Sequence, residues 1–378
     1  MMKNNVLIIT GEPSGDMHGG ELLAKLKNLL PEVSFWGIGG DRMEAEGAEL
    51  IEHVRNLSII GVWEIFKKLP TIHKQYKNIV RNVQERQPAL AILIDYPGFN
   101  LKVAKFLQSQ HIPVIYYIIP QVWAWGPWRI KALKRYVSKA LVLFKFEETL
   151  LAQSGIDCQF VGHPLIDKAP SLKMRDKKDQ FTIALLPGSR DSEALNIFPA
   201  MLDAAEKIRL NRPDIGFILA ESSNVDESIY NVELANHKNL TISRQKDNTF
   251  GVLNNSDFAI ITSGTATLEA TLLKKPMIIT YRTAFLTVLL ARAFLQVSWV
   301  GLANIIANKE IIPELLQENA TNEKIASKTL EIINDDSCMQ EMKEELGKVS
   351  QTLGGKGASR RAAEAVKQYL EEKTIPKK

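Results

Sequence analysis

Two acidic residues, a hydroxyl and two glycines follow the first apolar run of this sequence. The run is Val6-Leu7-Ile8-Ile9, the polar loop is Gly11-Glu12-Pro13-Ser14-Gly15-Asp16, and a helical pattern of leucines begins near Gly20. A short run of this composition is typical of a strand buried on both faces of a sheet. Open α/β sheets bind ligands in the loops at the carboxyl ends of their strands. The sequence therefore predicts a polar ligand site in this loop.

A further acid, Asp95, follows the apolar run Ile92-Leu93-Ile94. An isolated aspartate at a strand end is as often a helix or turn cap as a functional group. Beside Glu12, Ser14 and Asp16, however, Asp95 would complete a cluster of acids. Crowded carboxylates hold protons more tightly, so one of them can act as a base near neutral pH.

The second half of the chain contains a loop suited to an anion. Ser263-Gly264-Thr265 follows a strand pattern and leads directly into a helix, whose amino-terminal amides and dipole favour negative charge. Glu269 lies one turn into that helix, within reach of the ribose hydroxyls of a nucleotide. The same pattern also describes a simple helix cap with an acid in the first turn. Arg190, in the loop Pro187-Gly188-Ser189-Arg190, favours the nucleotide because a cation can neutralise a departing diphosphate.

Other nucleotide-binding devices do not fit the sequence. Gly37-Ile38-Gly39-Gly40-Asp41-Arg42 has an arginine where the third glycine of a dinucleotide fingerprint should stand, which disfavours a nicotinamide enzyme. The glycine-rich segment 354–357 lacks the flanking residues of a triphosphate-binding loop, and the sequence has no Asp-x-Asp pair to hold a metal-bound nucleotide. We therefore predict no metal and no cofactor.

An aromatic loop precedes a basic helical pattern. Trp123, Trp125 and Trp128 are followed by four cations, Arg129, Lys131, Lys134 and Arg135. Indoles and cations suit an acyl or membrane-interface surface, but packing around a cleft explains the loop equally well. The apolar segment 284–297 is too short for a membrane span and predicts a core or interface helix, or one lying on a bilayer. His163 ends a strand pattern and is expected to be structural or hinge-like.

Composition places the chain among ordinary soluble proteins of two domains. It has 378 residues, 45% of them hydrophobic and 24% charged, and a net charge of +4 that does not imply nucleic-acid binding. Two cysteines fit a reducing compartment, and the start Met1-Met2-Lys3-Asn4-Asn5 has no room for a signal peptide before the first strand. A cytoplasmic location is expected.

Strand patterns alternate with helical patterns along the whole chain, which predicts parallel sheets with crossover helices. We expect an α/β fold of two Rossmann-like domains that face each other across a cleft. The boundaries are residues 1–166, a linker at 167–180 that includes the charged run 173–179, a second domain at 181–350, and a carboxyl-terminal helix at 351–378 that could pack back on the first domain. The predicted strands are residues 6–9, 90–94, 114–118, 140–144, 182–186, 216–220, 258–262 and 277–280.

The ordered set of motifs resembles the lipid-A-disaccharide synthase family over nearly the whole chain. No single motif is decisive, but their order is specific. They are Gly11-Glu12-x-Ser14-Gly15-Asp16, Asp95-x-Pro97-x-Phe99-Asn100, Gln121-Val122-Trp123-Ala124-Trp125, Gly162-His163-Pro164, Leu186-Pro187-Gly188-Ser189-Arg190, Ser263-Gly264-Thr265-Ala266-Thr267-Leu268-Glu269 and Tyr281-Arg282.

The resemblance implies a metal-independent glycosyltransferase of the GT-B type. Its reaction would transfer 2,3-diacylglucosamine from UDP to the 6-hydroxyl of 2,3-diacylglucosamine 1-phosphate with inversion, giving a β-1,6-linked disaccharide and UDP. Because both substrates carry acyl chains, we expect association with the inner leaflet of the inner membrane, and a homo-oligomer is possible. Rival interpretations are another UDP-sugar glycosyltransferase or an epimerase of the same architecture, and a non-catalytic lipid- or nucleotide-binding protein.

The resemblance also distributes roles among the residues. Asp95 would be the base and Asp16 its rival, while Glu12, Ser14, Asp16 and Asn100 position the sugar or orient the base. Two departures from the family pattern are Gly98, where many members have a second acid, and Ala303, where proline is usual before Asn304. Gln121 and Trp123 would serve the acceptor side, and the UDP-sugar site would comprise Gly188, Ser189, Arg190, Ser263, Gly264, Thr265, Glu269, Arg282, Asn304 and Gln317.

Overall fold

The computed structural model describes residues 5–56, 62–124, 126–169, 180–282 and 298–374. The chain divides into two compact units. The first comprises Met1–Asp167 together with Leu353–Lys378, and the second comprises Lys168–Thr352. Each unit has its own parallel sheet and its own hydrophobic core.

The sheet of the first unit has the strand order β3-β2-β1-β4-β5-β6-β7 and is parallel throughout. The order reverses between β1 and β4, which is the doubly wound arrangement whose crevice binds ligands. Strands β1 and β4 are almost completely buried, as their continuous apolar runs predict. The strands are β1 (Asn5–Ile9), β2 (Ser34–Gly39), β3 (Glu49–His53), β4 (Leu90–Ile94), β5 (Val114–Tyr117), β6 (Lys139–Val142) and β7 (Cys158–Phe160).

Helices connect these parallel strands. The first of them buries Leu22, Leu23 and Leu26, three of the leucines that form the helical pattern in the sequence. The last helix of the chain packs against it. The helices are α1 (Pro13–Leu29), α2 (Asp41–Ala45), α3 (Val62–Arg86), α4 (Pro97–Ser109), α5 (Arg129–Tyr136), α6 (Lys145–Gln153), α7 (Leu165–Lys168) and the terminal Ala358–Thr374.

The second unit repeats the architecture with six parallel strands in the order β10-β9-β8-β11-β12-β13. Its strands are β8 (Thr182–Leu186), β9 (Gly216–Glu221), β10 (Ile242–Lys246), β11 (Phe258–Thr262), β12 (Met277–Tyr281) and β13 (Glu314–Leu316). Its helices are α8 (Asp191–Asn211), α9 (Glu227–Asn236), α10 (Thr249–Asn254), α11 (Thr265–Leu272), α12 (Leu302–Ala307), α13 (Asn322–Ile333) and α14 (Asp336–Thr352), so that the terminal helix is α15.

All eight predicted strands are present within a residue or two of their predicted limits. Some predictions lie outside the described residues: Trp125, the charged run 173–179 of the linker, and the apolar segment 284–297. Of the helices that the structure describes, none is long and apolar enough to span a membrane.

Candidate functional site

The carboxyl ends of β8, β9 and β11 surround a cavity of about 290 Å³ in the second unit. Parallel strands all end at the same edge of a sheet, so the loops that follow them meet there. Seven residues assigned to the UDP-sugar site from the sequence line this cavity: Gly188, Ser189, Arg190, Ser263, Gly264, Thr265 and Glu269.

The amino terminus of α11 forms one wall of the cavity. Gly264 precedes the helix in an extended conformation, and no side chain of the described residues caps the first turn. The hydroxyl of Thr267 instead donates to the carbonyl of Gly264 at 2.7 Å. A Cβ atom built on Gly264 would meet nothing within 4 Å. The helix terminus therefore lacks a side-chain cap and has open space beside Gly264, and such a terminus can bind an anion.

Glu193 orders the loop between β8 and α8. Its carboxylate accepts the backbone N–H of Ser189 at 3.0 Å and pairs with the guanidinium of Arg190 at 3.2 Å. Gly188 has a φ of +111°, and a Cβ there would lie 2.6 Å from Glu193 Oε2, so the loop requires glycine on both counts. The Arg190 side chain is 71% exposed, which leaves the cation accessible at the cavity. Sequence reasoning missed Glu193, whose one signal is an acid three residues after Arg190.

Glu269 is half-buried in the cavity wall. Burial raises the pKa of its carboxyl to about 7, although a hydrogen bond with Thr249 acts in the opposite direction. Near neutral pH this side chain can accept or donate a hydrogen bond, and both suit a hydroxyl group. Within the described residues, no group of three or more His, Cys, Asp or Glu side chains is arranged to hold a metal ion.

Asn304 does not line this cavity. Its side chain is fully buried, and Oδ1 accepts the backbone N–H groups of Ile311 and Ile312 at 2.8 and 2.9 Å. Nδ2 donates to the Ile312 carbonyl and to Glu314, both at 2.8 Å. The amide is therefore committed to the turn before β13, and this does not fit the expected direct contact with UDP.

Arg282 and Gln317 also lie at the carboxyl ends of strands in this sheet, but they do not line the cavity. Arg282 comes directly after β12 and is half-buried. Gln317 follows β13 with a φ of +52° and is half-buried in a short 3-10 helix. Their positions at the carboxyl ends of strands agree with the sequence reasoning, while the cavity itself is built by the loops after β8, β9, β10 and β11.

In the first unit, Asp95 directly follows β4 and is half-buried. Burial and the nearby negative charge of Glu12 raise the pKa of its carboxyl. Glu12 and Ser14 are exposed at the start of α1. The structure thus brings Glu12 and Asp95 close enough to interact, and a carboxyl whose pKa is raised is a better proton acceptor when it ionises.

Tyr96 explains the first glycine of the opening loop. A Cβ on Gly11 would lie 2.2 Å from two atoms of the Tyr96 ring, so the ring packs directly on the backbone of residue 11. This glycine is required by the neighbouring loop, whatever ligand the site takes.

Asp16 is buried, and its carboxylate accepts hydrogen bonds from backbone amides. Oδ1 accepts the N–H groups of Gly40 at 2.6 Å and Met43 at 3.1 Å, and Oδ2 accepts that of Arg42 at 3.0 Å. These bonds tie α1 to the start of α2. Such a carboxylate is an anchor for the β2–α2 turn, which differs from the expected contact with the acceptor or its proton.

Asn100 is fully buried on α4. Its Nδ2 donates to the carbonyls of Asp95 at 2.7 Å and Ile94 at 3.1 Å. It therefore acts on the backbone that carries Asp95, which agrees with an orienting role and not with direct contact to a sugar.

The aromatic loop is anchored by Glu147, a residue that sequence reasoning missed. Its Oε1 accepts the indole N–H of Trp123 at 3.0 Å, and Oε2 accepts the N–H groups of Leu143 and Phe144, both at 3.2 Å. Burial raises the pKa of Glu147 to about 7. The Trp123 ring meets Phe146 edge-on at 5.3 Å.

The two ends of the aromatic loop reach solvent. Gln121 is exposed, and Trp128 is 60% exposed directly before the basic helix α5. His163 is less accessible: its Nδ1 accepts the N–H of Leu165 at 3.1 Å, and burial together with His18 lowers its pKa to about 4. His163 is therefore neutral at pH 7 and is held in a turn.

The model of the lipid-A-disaccharide synthetase family matches residues 6–369. The chain is 35% identical to a lipid-A-disaccharide synthase of Myxococcus xanthus over 375 residues, which cover 97% of each protein. It is 37% identical to the enzyme of the same name from Syntrophus aciditrophicus over 366 residues, which cover 95% of this chain and 96% of the relative.

Solved structures share the fold at much lower identity. A putative UDP-N-acetylglucosamine 2-epimerase from Listeria monocytogenes matches with a TM-score of 0.63 and 14% identity, covering 98% of this chain and 97% of that one. A calicheamicin glycosyltransferase matches with a TM-score of 0.62 and 14% identity, covering 99% and 100%. The predicted α/β fold of two Rossmann-like domains, of the GT-B type, is confirmed.

Proposed function

The chain belongs to the lipid-A-disaccharide synthase family, and we propose that it is an inverting glycosyltransferase that transfers 2,3-diacylglucosamine from UDP to the 6-hydroxyl of 2,3-diacylglucosamine 1-phosphate. The products are a β-1,6-linked disaccharide 1-phosphate and UDP. The observation that carries the donor half of this proposal is the cavity of the second unit, where an uncapped helix terminus, an accessible arginine and a half-buried glutamate meet.

The second unit binds the UDP moiety. The diphosphate lies on the amides of α11 beside Ser263 and Thr265, where the helix dipole and the hydroxyls favour negative charge. Arg190, ordered by Glu193, neutralises the charge that builds up on the diphosphate as the bond to the sugar breaks. Glu269 receives the ribose hydroxyls.

The first unit activates the acceptor. The Asp95 carboxylate takes the proton of the 6-hydroxyl while the oxygen attacks the anomeric carbon on the face opposite the diphosphate, and the electron pair of the breaking bond leaves with UDP. Glu12 and Ser14 position the acceptor sugar, and Trp123 and Gln121 contribute to the same side. Asp16 and Asn100 act through the backbone, since their polar atoms bond to it.

Both substrates carry acyl chains, so the enzyme must reach a membrane surface. We place it in the cytoplasm, bound to the inner face of the inner membrane through the exposed Trp128 and the cations of α5. Charge reversal of the exposed Lys131 and Lys134 should weaken binding to anionic liposomes. Reversal of the exposed Lys25 and Lys105, on other helices of the same unit, is the matched control. Equal binding by both variants would refute this surface.

One assay tests the reaction. The purified protein is incubated with UDP-2,3-diacylglucosamine and the acceptor 1-phosphate without added metal, and the products are identified by mass spectrometry. The proposal expects disaccharide 1-phosphate and UDP in equal amounts. Conversion of the UDP-sugar without acceptor would instead indicate an epimerase, and UDP binding without turnover would indicate a non-catalytic protein. Asp95→Asn should lower turnover to a small residual rate while UDP still binds; near-normal turnover would exclude Asp95 as the base.

A further inference from the structure

The backbone at Asp95 has an unusual conformation. Asp95 and Tyr96 both lie in the left-handed region, with φ values of +48° and +49°. Residues other than glycine rarely adopt this region, and two in succession persist only where the surroundings hold them in place. These two residues form the whole connection between the end of β4 and the start of α4.

Two buried donors meet at one oxygen of this turn. The carbonyl of Asp95 accepts the hydroxyl of Tyr116 at 2.6 Å and Nδ2 of Asn100 at 2.7 Å. Tyr116 belongs to β5, which pairs with β4, and both donor residues are fully buried. A carbonyl with two lone pairs is thereby satisfied in a single orientation of its peptide plane. Rotating that plane out of the left-handed conformation would break both bonds.

The turn also fixes the parts of the site around it. The Asp95 N–H donates to the Tyr117 carbonyl at 3.2 Å, and the Tyr96 ring lies on Gly11 at the start of the acidic loop. The charged and titratable groups nearby are Glu12, which precedes α1, and His18 of α1, which both act on Asp95, and Arg129 of α5, which acts on Tyr116.

We propose that Tyr116 is a positioning residue for the transfer reaction, because its hydroxyl holds the Asp95 peptide in the conformation that keeps the Asp95 carboxylate beside Glu12. This role rests on the proposed function, in which Asp95 is the base. Tyr116 itself does not touch substrate. A purely structural tyrosine would make the same hydrogen bond, but its loss would alter stability without altering the titration of Asp95 or the turnover that depends on it.

The test compares Tyr116→Phe with Tyr117→Phe. Each variant removes one hydroxyl from a fully buried ring on the same strand, but only the hydroxyl of Tyr116 donates to the Asp95 carbonyl. We expect Tyr116→Phe to lower kcat at least tenfold, to leave KM for both substrates within about twofold, and to move the acidic limb of the kcat profile to lower pH. The limb moves because a released carboxylate is more hydrated. Tyr117→Phe should do none of these.

Two further measurements separate the outcomes. In the Asp95→Asn background, Tyr116→Phe should cost no additional rate, since its effect passes through Asp95; an additional tenfold loss would overturn the proposal. The titration of the Asp95 carboxyl by carbon NMR, assigned with Asp95→Asn, needs no turnover. It should move to lower pH in Tyr116→Phe, and an unchanged titration in folded protein would also overturn the proposal.

The same design distinguishes this inference from the proposed function. Wild-type protein that forms no disaccharide contradicts the function, while the NMR titration still decides the role of Tyr116. If Tyr116→Phe does not fold, Asn100→Ala removes the second donor of the same carbonyl and is read by the same titration. An Asp95 titration that is unchanged in Asn100→Ala would then refute the proposal.

Discussion

The carboxylate of Asp16 lies 2.6 Å from the backbone nitrogen of Gly40 and also accepts the N–H groups of Arg42 and Met43. These three hydrogen bonds from backbone amides to one buried carboxylate cap the start of α2, and the carboxylate belongs to α1. The acid that the sequence offered as the rival base is thus engaged on both oxygens, while Asp95 and Glu12 remain beside each other at the end of the sheet.

We predict that Asp16→Ala lowers the free energy of unfolding by about 3 kcal/mol, because it leaves buried amide donors without acceptors. The affinity for UDP, which binds to the other unit, should not change. Denaturant unfolding and calorimetric titration with UDP measure the two quantities. Asp41→Ala is the control, since Asp41 is 70% exposed and pairs with Arg55 on the surface. Equal loss of stability in both variants would contradict the anchoring role of Asp16.

A second prediction concerns the pH dependence of turnover. The negative charge of Glu12 contributes to the raised pKa of Asp95. Glu12→Gln removes that charge, so Asp95 should ionise at lower pH and the acidic limb of the kcat profile should move in the same direction. Profiles of both proteins with saturating substrates measure the shift. Glu44→Gln, an exposed acid of α2, should leave the limb in place. A limb that moves to higher pH in Glu12→Gln would exclude the electrostatic coupling of the two carboxylates.

The sequence identified the strands that are buried on both faces and missed those at the edges. β1, β4, β8 and β11 lie inside their sheets as continuous apolar runs. Of the five strands absent from the predicted set, β3, β7, β10 and β13 are the four sheet edges. Edge strands are short and polar, as in Ile242-Ser243-Arg244-Gln245-Lys246, and periodicity gives them little signal. The fifth, β2, contains Gly37 and Gly39, and a Cβ on Gly37 would lie 2.0 Å from the Ile8 carbonyl oxygen.

The structure likewise places some of the candidate site residues where the sequence predicts them and others elsewhere. Arg190, in the loop after β8, and Glu269, one turn into the helix after β11, both line the cavity, as their positions after strands predict. Asp16 and Asn304 carry the same local signal, yet their polar atoms bond to backbone groups of other segments. Sequence cannot separate these cases, because a side chain that bonds to distant backbone and one that bonds to a ligand need the same chemistry. Tyr116 was hidden for another reason: within the apolar run of β5 it looks like a core residue.

A third prediction uses the open space at Gly264. Its extended backbone is available to any residue, and a Cβ would meet no protein atom within 4 Å. Gly264→Ala should therefore keep the stability of the wild type but lower the affinity for UDP at least tenfold, because the methyl group occupies space next to the helix amides. Gly98→Ala, equally free of contacts but in the first unit, should leave UDP affinity unchanged. Unaltered UDP binding by Gly264→Ala would place the diphosphate elsewhere.

A fourth prediction separates Asn304 from Arg190. Asn304→Ala leaves the amides of Ile311 and Ile312 without their buried acceptor, so it should lower the free energy of unfolding by about 3 kcal/mol. Folded Asn304→Ala should still bind UDP. Arg190→Ala should do the opposite: its exposed side chain contributes little to stability, but UDP should bind at least tenfold more weakly without the charged donor. Thermal unfolding and UDP titration of both variants test these two roles. A tenfold loss of UDP affinity in folded Asn304→Ala would show that Asn304 contacts UDP after all.

A last prediction concerns Glu147 and the aromatic loop. Burial raises the pKa of this carboxyl to about 7, well above its unfolded value, so the folded state binds the proton more tightly. The resulting contribution to stability is present below about pH 4.5 and is lost as pH rises toward 7. Over the same interval the group that accepts the Trp123 indole N–H, 3.0 Å away, becomes an anion. Tryptophan fluorescence of the wild type should therefore titrate with a midpoint near pH 7.

Two variants assign that titration. Glu147→Gln should abolish it, because an amide does not ionise, and Trp123→Phe should remove it by removing the reporter. Glu148→Gln is the matched control: it alters the neighbouring acid of α6, whose pKa is lowered through its contacts with Lys145 and the Phe160 amide. That variant should keep the midpoint. A titration near pH 7 that persists in Glu147→Gln would contradict the assignment, whereas its loss would make the acceptor-side loop sensitive to pH through a residue that touches no substrate.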